Sequence, residues 1–385
     1  MSAVAALLPD GRLHLQHGPI DCLCRAWGDQ REVRAAYQQA ARFFASVLDG
    51  LCAELPLLRA ALPARRPDGA IAQAMHAACS PFADRFITPM AAVAGAVADA
   101  VLAAMVEGRD VPRAFVNNGG DIAFHLTPGT SLRCGLVADL TTIVPTYVTT
   151  GHAEGDGGGT DGTDRAGHAD CVAVNVDGAN RADGADRVMA GLGPATHDLR
   201  GQHQGKSWVT GPSPVMTRSA ITNTNANAAT TSSINTTNRT ASLDATFLLA
   251  AEHPARGLAT SGRACKGRGG RSFSFGIADS VSILARTAAQ ADAAATIVGN
   301  AVDLPGHPAI DRRPASEIDP ASDLGDRLVT FNIGPLPGDA IETALDAGRT
   351  MADTLVLGRL IEGAVLTLRD RVRISHASLV PQEAI

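Results

Sequence analysis

A chain of 385 residues with 45% hydrophobic and 19% charged content can bury one large core or two smaller ones. Its formal net charge of −6 and pI of about 6.0 force no basic surface, so DNA or RNA is a poor expectation as partner. Seven cysteines without metal-ligand spacing, with Cys22 and Cys24 forming only a C-x-C, are expected to be reduced cytoplasmic thiols.

The opening MSAVAALLPDG has a short apolar run, no preceding basic residue and an immediate Pro-Asp-Gly turn, which fits neither a signal peptide nor an anchor. From Arg31 to about Leu62, apolar residues three and four apart predict an amphipathic helix, interrupted near Gly50 and Pro56. A second helix is expected in ITPMAAVAGAVADAVLAAMVEG, with Thr88 as N-cap, Pro89 at the first helical position and Gly108 at its end. Its run of apolar residues is Ala-rich and broken by Asp99, so a buried helix suits it better than a membrane span. Small residues (Ala91, Ala92, Ala94, Gly95, Ala96, Ala98) let something approach its backbone closely, and tight packing on a sheet is the ordinary explanation.

Residues 115–125, FVNNGGDIAFH, place two asparagines, two glycines and an aspartate between apolar β-formers. Asn-Gly marks a hairpin turn or bulge. The alternative is a ligand loop, in which Asn118 and Asp121 offer polar groups and Gly119 and Gly120 offer bare N–H donors. A strand follows at SLRCGLVADL, and then the composition changes. Residues 150–241 are rich in Gly, Asp, Asn, Thr and Ser and are expected to form a largely disordered insertion, because such tracts bury too little apolar surface to offset chain entropy. Residues 1–149 and 242–385 would then be two parts of one core.

After the insertion, ATFLLAA, SFSFGIADSVSILA and RLVTFNIGPL read as strands, and AAQADAAATIVGNAV and DAIETALDAGRTMADTLVLGRL as helices. The mixture lacks βαβ alternation and favours α+β over a doubly wound sheet. Several apparent motifs fail. RGQHQGKS has Arg200 where a phosphate-binding loop needs its first glycine, and GDGGGTDGTD is a single imperfect copy of a calcium repeat. There is no H-E-x-x-H, nucleophile elbow or dinucleotide fingerprint.

Two stretches retain chemical interest. Asp292 and Thr296 are four apart on one helix, separated only by alanines, and a carboxylate, a hydroxyl and nearby carbonyls make a hard-oxygen set suited to Mg2+. Local hydrogen bonding of an Asp and a Thr is the ordinary alternative. GLATSGRACKGRGGRS places Thr260, Ser261, Arg263, Lys266, Arg268 and Arg271 among glycines, a set able to hold a phosphate or to remain a solvated charged loop.

Taken together, ITPMAAVAGAVADAV, VNNGGDIA, GLATSGR, FGIADSVSILA and ADAAAT resemble the ApbE-like superfamily. GPIDCLCRAWGD and AAYQQAARFF are similar to its uncharacterised cytoplasmic branch. The resemblance covers about 1–149 and 242–375. It implies an α+β fold of T-fold type, with long helices on a mixed or antiparallel sheet, and in the better-known relatives a Mg2+-dependent transfer of FMN from FAD to a threonine of an acceptor protein. It implies a metal held by Asp292, Thr296 and the carbonyls of Ala295 and Ala94. It further implies a flavin nucleotide lying against Asn117, Asn118, Gly119, Gly120 and Asp121, with Thr260, Ser261, Gly262 and Arg263 as further contacts. The chain departs from the transferases where they carry H-I-I-D-P-x-T-G, since GRSFSFGIADS stands there, and where their helix carries a lysine, since Gly95 stands there. Asp279 is the remaining acid in that segment and the candidate base. The expectations are an FAD-dependent FMN transferase or FAD pyrophosphate hydrolase, a flavin binder without turnover, or a structural homo-oligomer, in each case cytoplasmic.

Overall fold

The computed structural model describes residues 2–136, 169–173, 245–262 and 273–375. An N-terminal meander, β1 (Val4–Leu7), β2 (Leu13–His17) and β3 (Ile20–Trp27), leads into α1 (Gln30–Phe44), α2 (Val47–Ala53), α3 (Leu55–Leu58), α4 (Ala70–Cys79) and α5 (Val93–Val106). Strands β4 (Arg113–Asn118), β5 (Asp121–Leu126), β6 (Ser131–Leu136), β7 (Ala169–Ala173), β8 (Ala245–Ala250), β9 (Gly257–Ser261) and β10 (Ser280–Ala285) precede α6 (Ala288–Ala301). The chain continues through β11 (Ile310–Pro314), α7 (Ala315–Ile318), β12 (Leu328–Ile333), α8 (Gly338–Leu357) and the hairpin β13 (Gly363–Leu368) and β14 (Arg371–Ile374).

Nine strands form one sheet in the order β1-β2-β3-β4-β5-β9-β10-β13-β14, and every neighbouring pair is antiparallel. This is an α+β protein, as the irregular mixture of elements predicts. The two-residue side-chain period of its strands sorts them onto two cores. Val116, Ala123, Ala259, Val281 and Ile283 face the helices. Phe115, Ile122, Phe124, Leu258 and Leu284 face the other way, onto Leu132, Cys134 and Leu249 of a small sheet in which β6 pairs with β7 and β8.

The amphipathic segment from Arg31 breaks into three helices, at 45–46 and at Glu54 rather than at Gly50, which lies inside α2. Thr88 caps no amide through its side chain. The chain from Pro89 begins as a 3₁₀ turn, and the Thr88 hydroxyl donates instead to Asp323 Oδ2 at 2.6 Å, a tertiary carboxylate having displaced the local cap. SFSFGIADSVSILA is strand only from Ser280, because Ser274 and Phe275 are drawn towards α6 by the Asn300 side chain. Most of the expected insertion lies outside the described residues, Ala169–Ala173 excepted. Pro89–Val106 is long and apolar enough to cross a membrane by length and composition, but half of it is buried within the fold. Among the described residues, Cys22, Cys24, Cys52 and Cys79 are free thiols.

Candidate functional site

The stretch FVNNGGDIAFH is a tight hairpin. Asn118 pairs with Asp121 at the ends of β4 and β5, and Gly119 and Gly120 form the turn with φ of +65° and +107°. Only glycine enters that region at little cost, so the turn alone accounts for both glycines. The Gly120 amide also donates to Asn117 Oδ1 at 2.8 Å, which closes the turn locally and commits Asn117 to it. Alternation then aims Asn118 and Asp121 at the helices, on the face that carries Val116 and Ala123.

Two helices meet there in backbone contact. A Cβ on Gly95 of α5 would lie 2.2 Å from the Ala288 carbonyl oxygen of α6, and one on Gly257 of β9 would lie 2.1 Å from the Ala288 nitrogen. The small-residue face of α5 therefore serves tight packing, and α6 begins wedged between α5 and the sheet. Each helix supplies an acceptor for the other's orphan amides. Asp99 of α5 accepts from Ala288 and Ala289 at 3.0 and 2.9 Å, and Asp292 of α6 accepts from Gly95 at 3.1 Å.

Asp292 comes close enough to Asp121 to raise its pKa. Burial pushes the Asp121 carboxyl well above the ordinary value of 3.8 and the charge of Asp292 pushes it further, against an amide bond from Thr260 at 3.2 Å. Burial raises Asp292 to about 7, opposed by the Gly95 and Ala94 amides and reinforced by Asp99. Burial also raises Asp99 to about 6 despite its bonds from the Ala289 and Ala288 amides and the Thr287 side chain. The Cys79 thiol, buried beside Asp292, is pushed up by desolvation and by that carboxylate. Among the described residues, no lysine or arginine forms an ion pair with Asp99, Asp121 or Asp292. Such a set is costly to hold fully ionised, since buried negative charge without compensation is unfavourable.

The predicted metal residues are brought to this junction. Asp292 and Thr296 lie one turn apart on a partly buried stripe of α6, flanked by buried alanines. The Ala94 carbonyl lies at the hairpin, where it accepts from Asn118 Nδ2 at 3.0 Å. Ala295 is fully buried in the same helix. Among the described residues, no cluster of three or more His, Cys, Asp or Glu is placed to hold a metal, so an ion here would need the Thr296 hydroxyl and backbone carbonyls in its shell.

The second cofactor stretch divides. Thr260 contributes its amide to Asp121, but its hydroxyl lies on the opposite face, 2.9 Å from Ser282 Oγ. Ser261 faces α6 at Gly299, and Gly262 packs against the Asp279 carbonyl. Arg263 and the basic loop through Arg271 lie outside the described residues. Asp279 has a turn role, its carboxylate accepting from the amide of Arg369, which stands at φ +57° between β13 and β14.

Sequence reasoning passed over Asp99, Cys79 and Asn300. Asn300 continues the four-residue spacing of Asp292 and Thr296, and its Oδ1 accepts from the Phe275 amide at 3.0 Å. Asp99 had a signal as well, being the sole acid in an Ala-rich helix.

The chain matches the family described as AbpE bacteria over residues 5–192 and 220–374. It belongs to that family. The AbpE bacteria match takes in both parts of the core, hence the hairpin, α5 and α6, and also runs through 150–192 and 220–241. No curated protein matches the chain.

Proposed function

We propose that this AbpE bacteria family member is an ApbE-related cytoplasmic protein of T-fold type that binds a flavin nucleotide, FAD, with Mg2+ and transfers its FMN part or splits its pyrophosphate. The observation that supports this is the Asp121–Asp292 pair, two carboxylates within electrostatic reach of one another and stabilised only by amides. Asp292, Thr296 and the Ala94 and Ala295 carbonyls offer the hard oxygens that Mg2+ takes, and Asp121 adds negative charge opposite them. When bound, the ion would stabilise charge developing on a pyrophosphate. The chain's own groups would orient: Asn118 ties the hairpin to α5, and the Thr260 amide holds Asp121 in place.

A second reading, nucleotide binding without turnover, is favoured by Asp279. Its carboxylate is engaged by the Arg369 amide and serves the β13–β14 turn, which removes the one acid expected to act as base. Incubating the purified protein with FAD, with and without Mg2+, and separating the nucleotides tests both. AMP together with FMN or a flavinylated protein, formed only with Mg2+, supports turnover; calorimetric binding with intact FAD supports the second reading; no binding overturns both.

A further inference from the structure

The contact between α5 and α6 carries a consequence for the proposed ion site. The start of α6 is fixed in three directions: Asp99 holds the Ala288 and Ala289 amides, the Gly95 backbone lies under the Ala288 carbonyl, and Gly257 of β9 lies against the Ala288 nitrogen. One turn further along, Asp292 reaches back to the Gly95 amide, close to Asp121. A helix advances about 1.5 Å per residue, so a slip of one position at Ala288 would carry Asp292 past its amide and away from Asp121.

We propose that Asp99 is a positioning residue for the candidate site, clamping α6 onto α5 through two amides and thereby setting the separation of Asp292, on α6, from Asp121, on the hairpin. Asp99 touches neither ion nor nucleotide in this arrangement. It acts through Ala288 and Ala289, and an asparagine would not replace it, because its amide nitrogen would face one of those two N–H groups. The proposal rests on the reading of Asp292 as an ion ligand for its functional meaning, whereas the clamp itself is testable without it.

The full-length protein is titrated with Mn2+, which reports on a Mg2+ site, in the wild type, Asp99→Asn and Val47→Ala. The last is a core truncation in α2, which packs on α1, and is expected to lower thermal stability without altering a partner of the clamp. Hydrogen exchange of the Gly95 amide is followed in the same three proteins. Asp99→Asn is expected to weaken Mn2+ binding about tenfold, in the range of an outer-shell partner, and to speed Gly95 exchange, while Val47→Ala alters neither. Unchanged Mn2+ affinity and unchanged Gly95 exchange in Asp99→Asn overturn the clamp, as do equal changes in Val47→Ala. Absence of Mn2+ binding in the wild type sinks the ion reading instead, and the Gly95 exchange then decides the clamp alone. If Asp99→Asn fails to fold, Asp99→Glu is used, with a longer reach that is expected to retain the clamp in part and give an intermediate result in both readouts.

Discussion

The ribbon of β11 and β12 and the junction of α5 and α6 both contain aspartates, and the two regions neutralise them differently. On the ribbon, Arg312 is paired with Asp303, which lies between α6 and β11, and Asp311 lies 3.3 Å from Arg313. At the junction, Asp121 and Asp292 receive backbone amides and Asp99 receives two amides and the Thr287 side chain, none of them a cation, and burial raises all three. An aspartate with an arginine beside it needs nothing further, so the ribbon's acids are complete as structure. Amides lower the cost of burying a carboxylate without cancelling its charge, and it is this remaining charge on which the proposed cation site rests and which the ribbon lacks.

The contrast is broken most severely by separating the helices that create it. Gly95→Ala would place a methyl 2.2 Å from the Ala288 carbonyl oxygen, and neither backbone can move without releasing Asp99 or Asp292. Overpacking against flexible side chains costs about 1–3 kcal/mol; against a backbone on both sides the upper end, about 3 kcal/mol, is expected. Thermal unfolding measures it, and a stable Gly95→Ala would mean that the contact is looser than described.

Next in size is the loss of ion binding in Asp292→Asn. Removing a direct ligand should weaken Mn2+ binding by more than the roughly 10–100-fold that an outer-shell partner costs. The same change should leave the ion-free protein as stable as the wild type or more so at and above pH 7, because Asp292 takes on there a charge that burial opposes. Asp303→Asn, beside the ribbon, should do the reverse, leaving ion binding intact and destabilising the fold by unpairing Arg312 of β11. An Asp292→Asn that binds Mn2+ like the wild type would leave the two regions chemically equivalent.

How much of this was legible from sequence depends on distance along the chain. The helix of Asp292 and Thr296, its alanine flanks and the hairpin at Gly119–Gly120 follow from spacing and turn chemistry within a dozen residues. The antiparallel sheet followed only as a class: β1, β2, β3, β13 and β14, which flank it on both sides, were not foreseen, nor was β9 at its centre, whose residues read as part of a glycine- and arginine-rich loop. The outermost strands β1 and β14 are four residues long and largely exposed, and β13 is buried on both faces and so shows no alternation, whereas β2 and β3 alternate cleanly and carried a signal that was missed. What no local pattern could show is that Asp99 and Asp292, 193 positions apart in the numbering of this chain, each cap the other's helix. For the same reason Thr88 read as a cap: the carboxylate that takes its hydroxyl comes from Asp323.

Acidity sharpens the comparison further. Asp99 and Asp292 have folded values of about 6 and 7 against an ordinary 3.8, so between pH 4 and 7 the folded protein binds more protons than the unfolded chain. Stability from these groups is therefore present at low pH and lost as pH rises through 6 to 7. The melting temperature of the ion-free protein should fall across that window, and Mg2+ should restore more of it at pH 7.5 than at pH 5.5, where protons compete. Asp292→Asn should reduce the dependence and leave the part that buried Asp99 and Asp121 contribute. A melting temperature that rises from pH 5 to 7 in the ion-free wild type would mean that the junction is already neutralised by another group.

The smallest expected effect concerns Asp279, which the resemblance casts as a base and the structure engages in a turn. Its carboxylate accepts the amide of Arg369, whose φ of +57° is costly for a residue with a side chain, so the bond stabilises the β13–β14 turn. Asp279→Asn keeps an acceptor oxygen and removes the charge, and about 1 kcal/mol or less of stability should be lost, with Mn2+ affinity unchanged. If FAD is processed, the rate in Asp279→Asn decides between the two roles. A carboxylate that only supports a turn leaves turnover within a few-fold of the wild type, whereas a general base contributes about 10²–10⁴-fold. A loss of that size with the turn intact would move Asp279 from the structural group into the chemistry, and the proposed carrier without turnover would give way to an enzyme.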